Sequence, residues 1–201
     1  MNVISNILYW ISTGLLVPVI VLLIFFFIRA LFLVGGFFGQ FMQERKQAEK
    51  LYGRITSLAA GDVRDFAAGL GVKSDSVFLV FVKKMLADGG DAAKAELYLA
   101  EFEIEADRNI SVSKVMTKMG PVLGLMGTLI PMGPALVGLA TGDIASMAYN
   151  MQVAFATTVV GLVVSAIGFL TQQAKERWAV RQMAVLEYLA DVMKQSNDIK
   201  K

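Results

Sequence analysis

Four hydroxyls stand inside sequence that is otherwise fit for lipid. Thr128 lies in MGPVLGLMGTLIPMGPALVGLATGD, residues 119–143, and Thr157, Thr158 and Ser165 lie in AFATTVVGLVVSAIGF, residues 154–169. A hydroxyl on an apolar helix has two uses. It can donate back to a carbonyl one turn earlier, which is structural. It can also line a polar path. Spacing alone leaves both open. A second group is acidic: Glu101, Glu103, Glu105 and Asp107. Four carboxylates at this density allow a metal site, but the simpler reading is a solvated helix face, with Glu105 three residues before Arg108. The chain holds no cysteine and no histidine. A thiolate metal site, a disulfide, the usual general base and the commonest zinc ligand are therefore absent. The residues call for no enzyme, no metal and no cofactor.

These side chains must be positioned by something, and the composition says what. The chain has 201 residues, is 56% hydrophobic and only 18% charged, and has a mean hydropathy of +0.59. A soluble domain of this size would carry more polar surface. The net charge of +2 is too small to point to nucleic acid. Where the charges lie matters more. Of the 19 Lys and Arg, thirteen fall between Arg29 and Lys118 and six between Lys175 and Lys201, whereas residues 119–174 hold one charged side chain, Asp143. Basic residues mark the cytoplasmic side of a membrane protein. Two basic blocks on one side need an even number of crossings between them, and a crossing takes about 20 apolar residues.

The expected fold is an all-α membrane protein with three transmembrane helices, at roughly 8–34, 119–140 and 147–171, the long ones extending into the cytoplasm. The divisions are 1–41 (N-terminal segment and first span), 42–118 (cytoplasmic helical loop), 119–140 (second span), 141–146 (outer turn), 147–171 (third span) and 172–201 (cytoplasmic helical tail). The N-terminus is then outside, the C-terminus cytoplasmic, and the protein multi-pass in the cell's inner membrane. The first span lacks a basic n-region and continues past Arg29, so it reads as a retained helix and not a cleaved signal peptide. Arg29 is expected to snorkel to the inner headgroups, and Pro18 to kink the helix.

Turn signals divide the loop at Gly61-Asp62, Gly69 to Gly71 and Asp88-Gly89-Gly90-Asp91. Asp62 and Asp91 are candidate caps. VFLVFVKKML is apolar enough for a strand but reads as a packed inner helix. No Gly or Pro interrupts residues 92–119, so that run enters the second span directly. The third span runs on into a tail where Trp178, Val185, Leu189 and Val192 recur at near-helical spacing. A helix of about 45 residues would be roughly 65–70 Å long, and its apolar stripes call for an oligomer to cover them.

Residues 119–143 carry six glycines and three prolines, which are poor helix formers. Lipid gives helices no hydrophobic reason to associate, and small residues let backbones approach. Gly120, Gly124 and Gly127 share one face of the second span. Ala154, Gly161 and Gly168 recur every seven residues in the third, with Thr158 and Ser165 on the neighbouring stripe. Both sets read as packing seams, either within the subunit or around a central axis. Pro131 and Pro134 leave carbonyls without donors, so the outer half of the second span is expected to be kinked or wet. No Asp, Glu, Lys or His lies in the second or third span. If an ion passes here, the titrating group comes from elsewhere.

These motifs resemble a known family. GPVLGLMGTLIPM, residues 120–132, resembles the second-helix motif of the MotA/TolQ/ExbB proton channel family, and AFATTVVGLVVSAIGF resembles its third-helix motif. EFEIEADRNISVSKV, residues 101–115, resembles the charged helix that precedes the second span. Three spans with a large first loop are similar to the ExbB/TolQ branch. The resemblance is specific over residues 100–175. It implies the pore-forming subunit of a proton- or sodium-driven motor, a homo-oligomer, a pentamer, around a single-span partner of the ExbD/TolR/MotB kind whose helix carries an aspartate. It also implies that Thr128 and Thr158 match pore-facing threonines, with Thr157 and Ser165 on the same path. One departure stands out: Val153, beside Gln152, occupies the place where ExbB and TolQ carry a glutamate. A non-conducting structural scaffold of the same fold is the alternative.

Overall fold

The computed structural model describes residues 2–56, 77–88 and 91–198. The turns expected at Gly61-Asp62 and at Gly69 to Gly71, the Asp62 cap, and Gly89-Gly90 lie outside the described residues. Five helices follow in order among the described residues: α1 (Asn2–Gly14), α2 (Leu16–Thr56), α3 (Val77–Ala87), α4 (Ala92–Thr141) and α5 (Ile144–Asp198). No strand occurs among the described residues. Three stretches are long and apolar enough to cross a membrane: Ile7–Gly39, Ala93–Thr141 and Ile144–Gln195. The chain is an all-helical membrane protein.

Local chemistry explains where the helices break. Pro18 has no N–H to give the Gly14 carbonyl, so α1 and α2 part at Leu15, whose own N–H reaches the carbonyls of Ile11 and Ser12 at 3.1 Å. The three prolines of α4 act differently. The helix continues unbroken through Pro121, Pro131 and Pro134 to Thr141. Each proline only withdraws the donor for the carbonyl four residues back, at Thr117, Gly127 and Ile130 respectively. VFLVFVKKML is helical, because its buried residues Phe78, Leu79, Phe81, Val82 and Met85 fall on one helix face.

The link between α4 and α5 is two residues, Gly142 and Asp143, shorter than the 141–146 expected. Gly142 takes a φ of +74°, a left-handed conformation that costs glycine nothing. The Asp143 N–H donates to the Gly138 carbonyl at 2.8 Å and the Gly142 N–H to the Leu139 carbonyl at 3.3 Å, which closes the end of α4. Asp143 then caps α5, its Oδ1 accepting the Ser146 N–H at 3.0 Å. Asp91 likewise accepts the Ala93 N–H at 3.1 Å as α4 begins.

The chain divides into two compact units. The first comprises Met1–Phe37 and Val112–Gln172. Two small clusters fill it: Val19, Leu23, Leu123 and Ile130, and Ala30, Met116 and Val164. Many large apolar side chains remain exposed there, among them Leu125, Leu129, Phe155 and Val159. Those are surfaces for lipid or for other helices.

The second unit comprises Phe38–Ser111 and Gln173–Lys201. One larger core holds it, with Ile55, Phe81, Val82, Phe102, Leu186 and Leu189 at its centre. Phe81 meets Phe102 edge to face at 5.6 Å. Val185, Leu189 and Val192 of the tail are buried, and Trp178 contacts Phe41 at 5.9 Å. Asp88 accepts hydrogen bonds from Lys94 (2.8 Å) and from the Tyr98 hydroxyl, tying the end of α3 to the start of α4. The Lys94 hydrogen bond, then that of Tyr98, holds the Asp88 carboxyl below its usual range, and Asp88 in turn raises both Lys94 and Tyr98.

Candidate functional site

The site is built where α4 and α5 run antiparallel in the first unit. At one end of the seam Thr171 Oγ1 hydrogen-bonds Ser113 Oγ at 3.1 Å, both side chains being buried. Next along, a methyl group on Gly168 would meet the Thr117 nitrogen at 2.7 Å and the Met116 Cβ at 2.9 Å. Gly120 and Gly161 then face each other. A Cβ on Gly120 would lie 2.6 Å from the Gly161 oxygen, and one on Gly161 would lie 2.6 Å from the Gly120 oxygen. Backbone cannot yield as a side chain can, so any larger residue would part the helices. Gly124 is less crowded, its nearest neighbours lying at 3.5 Å. Gly127 abuts the side chain of Thr157, and Ala154 is buried beside this crossing.

The four hydroxyls separate into two pairs. Thr157 and Ser165 belong to the seam. Thr157 Oγ1 is held by the carbonyls of Ala154 (2.9 Å) and Val153 (3.1 Å) in its own helix. Ser165 reaches across, its hydroxyl donating to the Thr117 carbonyl at 3.0 Å. That carbonyl is the one Pro121 strips of its helical donor. An orphaned carbonyl in a dry environment costs free energy, and Ser165 supplies the missing donor.

Thr128 and Thr158 lie beside the seam and are only partly buried. Thr128 donates to the Leu125 carbonyl at 2.7 Å, and Thr158 to the Ala154 carbonyl at 3.0 Å. Each follows one member of the Gly127–Thr157 contact. In an antiparallel pair the residue after each contact residue turns to the same side. Thr128 and Thr158 therefore share one depth and one side of the seam. Each has spent its proton on its own helix but keeps lone pairs that can accept one.

No Asp, Glu, Lys, Arg or His lies between Met119 and Gly142 or between Ile144 and Ala174. Asp143 sits in the hairpin, committed to capping α5. The acidic cluster lies in the second unit, where Glu101 pairs with Lys84 at 3.3 Å and Glu105 with Arg108 at 3.8 Å. No group of side chains suited to a metal occurs among the described residues. Sequence reasoning did not single out Ser113 and Thr171. A signal existed: Ser113 precedes Gly120 by seven residues, and Thr171 follows Gly168 by three, so both continue the small-residue faces.

The fold and seam define a helical membrane protein whose spans pack through glycine and which carries no charge of its own at the crossing. The family model for the MotA/TolQ/ExbB proton channel family matches residues 75–187, more than half of the chain, and the chain belongs to that family. No individually curated protein matches it. The family is one of channels and motor stators, not of enzymes.

Proposed function

We propose that this chain is the pore-forming subunit of an ion-driven motor, which uses a flow of protons or sodium ions to move a single-span partner. The observation that carries this reading is a member of a proton channel family with no Asp, Glu, Lys, Arg or His in its second or third span. The group that binds and releases the ion then belongs to the partner, an aspartate on its one helix. In this reading several copies, five by resemblance to the ExbB/TolQ branch, surround that helix. The chain lies in the inner membrane with its N-terminus outside and its C-terminus and second unit in the cytoplasm.

Thr128 and Thr158 are the residues proposed to face the partner. Their lone pairs can accept the proton of a neutral aspartate or coordinate a cation that has shed water. Thr157 and Ser165 serve the same path from within the seam by holding α4 and α5 in register, as do Gly120, Gly124, Gly127, Ala154, Gly161 and Gly168. The available drive is about 2.3 kcal/mol per charge per 100 mV, so a useful stroke takes several charges.

Gentle purification from native membranes, with mass spectrometry of what accompanies the chain, tests the reading. A small single-span protein with an aspartate in its span is the expected companion. Thr158→Val is expected to abolish ion-coupled work while the complex still assembles. Normal coupling in that variant removes Thr158 from the path.

A non-conducting scaffold is the second reading. Its support is that Thr128, Thr157 and Thr158 each bond to their own helix, with Val153 standing where the family's ExbB and TolQ members carry a glutamate. It predicts no ion flux with any partner, and tolerance of Thr128→Val and Thr158→Val alike.

A further inference from the structure

The second unit carries an apolar groove. The groove, of about 480 Å³, lies between α3 and α4, with Val80, Phe81 and Ile104 along its floor and Lys84, Glu101 and Glu105 at its rim. Ile104 is 70% exposed although it is a large aliphatic residue. Across the unit, α5 presents a face of the opposite kind. Arg177, Val180, Arg181 and Ala184 recur at i, i+3, i+4 and i+7, all exposed, and Val180 is 71% exposed.

The two surfaces lie at one depth. The Lys175 ammonium donates to the Asn109 carbonyl at 3.1 Å, which sets α4 and α5 in register. Ile104 precedes Asn109 by five residues, and Val180 follows Lys175 by five. Because the helices are antiparallel, Ile104 and Val180 stand level. Arg177 falls within about one helical turn of Glu105 by the same count. Copies of one membrane protein share a common depth, so a groove and its complement can meet only if they are level.

We propose that the α3–α4 groove is the docking site for the Arg177–Val180–Arg181 face of α5 from a second copy of this chain. Val180 enters the groove beside Ile104, and the arginines meet the Glu101 and Glu105 rim. The pairs those carboxylates already make, with Lys84 and Arg108, are exposed and weak enough to be exchanged. Groove and face are different surfaces of one chain, so the contact is heterologous, the kind that closes copies into a ring. The inference rests on the oligomeric reading above and adds the surface through which the copies meet.

The chain has no cysteine, so Ile104→Cys with Val180→Cys introduces its only thiols. The full-length double variant is oxidised in membranes and run on a denaturing gel without reductant, beside each single variant. A ladder of covalent multimers from the double variant alone is the expected result. Three results overturn the contact: monomer only from a protein whose mass by light scattering in mild detergent is oligomeric, cross-linking of the single Ile104→Cys variant, or cross-linking to a different protein. A monomeric mass overturns the oligomeric reading as well, which keeps the two failures apart. Charge reversal is the second measurement. Glu105→Arg and Arg177→Glu should each weaken association about two- to fivefold, the scale of an exposed ion pair, and the two together should restore it. Equal association in all three variants also overturns the proposal.

Discussion

Along α4 and α5 the residues that meet change character between one unit and the other. In the first unit the meeting residues are Gly120 with Gly161, Gly127 with Thr157, and Gly168 with Met116 and Thr117. In the second they are Phe102, Val185, Leu186 and Leu189, joined by Phe81 and Val82 of α3. The difference fits the proposed placement, with the first unit in lipid and the second in water. Water drives large apolar side chains together, at about 1.5–3 kcal/mol for each fully buried one. Lipid offers no such gain, so helices there gain only from close approach and from hydrogen bonds that water does not contest. Small residues are useful in lipid and wasteful in water.

That contrast can be broken by substitution. The largest effect is expected from Leu186→Ala, which empties part of the second unit's core and should cost about 2–5 kcal/mol. Thermal unfolding in detergent, followed by circular dichroism, reads it as a lowered midpoint. Gly161→Ala comes next. Its methyl meets the backbone of Gly120 and Gly124, and overpacking of this kind costs about 1–3 kcal/mol. Gly124→Ala is the matched control, because its methyl finds ordinary contact distances. Equal midpoints for the two alanine variants would remove the argument that backbone approach holds the seam.

Ser165→Ala sharpens the same point at smaller scale. It leaves the Thr117 carbonyl with neither a helical nor a cross-helix donor, a loss of about 0.6–2 kcal/mol in this setting. Adding Pro121→Ala should recover most of it, since the helical N–H returns. A double variant no more stable than Ser165→Ala alone would show that the proline and the serine are unrelated.

The smallest effect concerns pH in the second unit. Asp88 titrates below the usual carboxylate value because Lys94 and Tyr98 bond its charged form. Its contribution is therefore complete above about pH 4 and is lost as pH falls through the lowered folded value. Lys94 and Tyr98 are shifted upward, so their share is complete below about pH 10 and is lost as pH rises through their folded values. Asp88→Asn should flatten both limbs of the stability profile between those limits and beyond. An unchanged acid limb in that variant would show that the contact contributes nothing to folding.

Much of this was legible in the residues. The charge blocks and apolar runs imply three membrane-crossing helices, and GPVLGLMGTLIPM and AFATTVVGLVVSAIGF carry the family. Helical periodicity placed Val185, Leu189 and Val192 on one face. What the spacing did not show was which neighbour covers each face. Thr157 and Thr158 are adjacent in the chain, yet one packs on Gly127 and the other stands beside the seam. The turn between α4 and α5 is shorter than composition suggested, because Gly142 in a left-handed conformation ends α4 at once and Asp143 starts α5 at once.

The sequence by itself determined the class of molecule: helical, membrane-crossing, with no acidic, basic or histidine side chain in its second and third spans. Those properties depend on residue type and period, which a chain carries whether or not it is folded. Only the tertiary structure decided the register of α4 against α5. That register brought Ser165 to the carbonyl freed by Pro121, joined Ser113 to Thr171 and set Thr128 level with Thr158. It is settled by contacts between residues dozens of positions apart, where one rotation of either helix would exchange every partner.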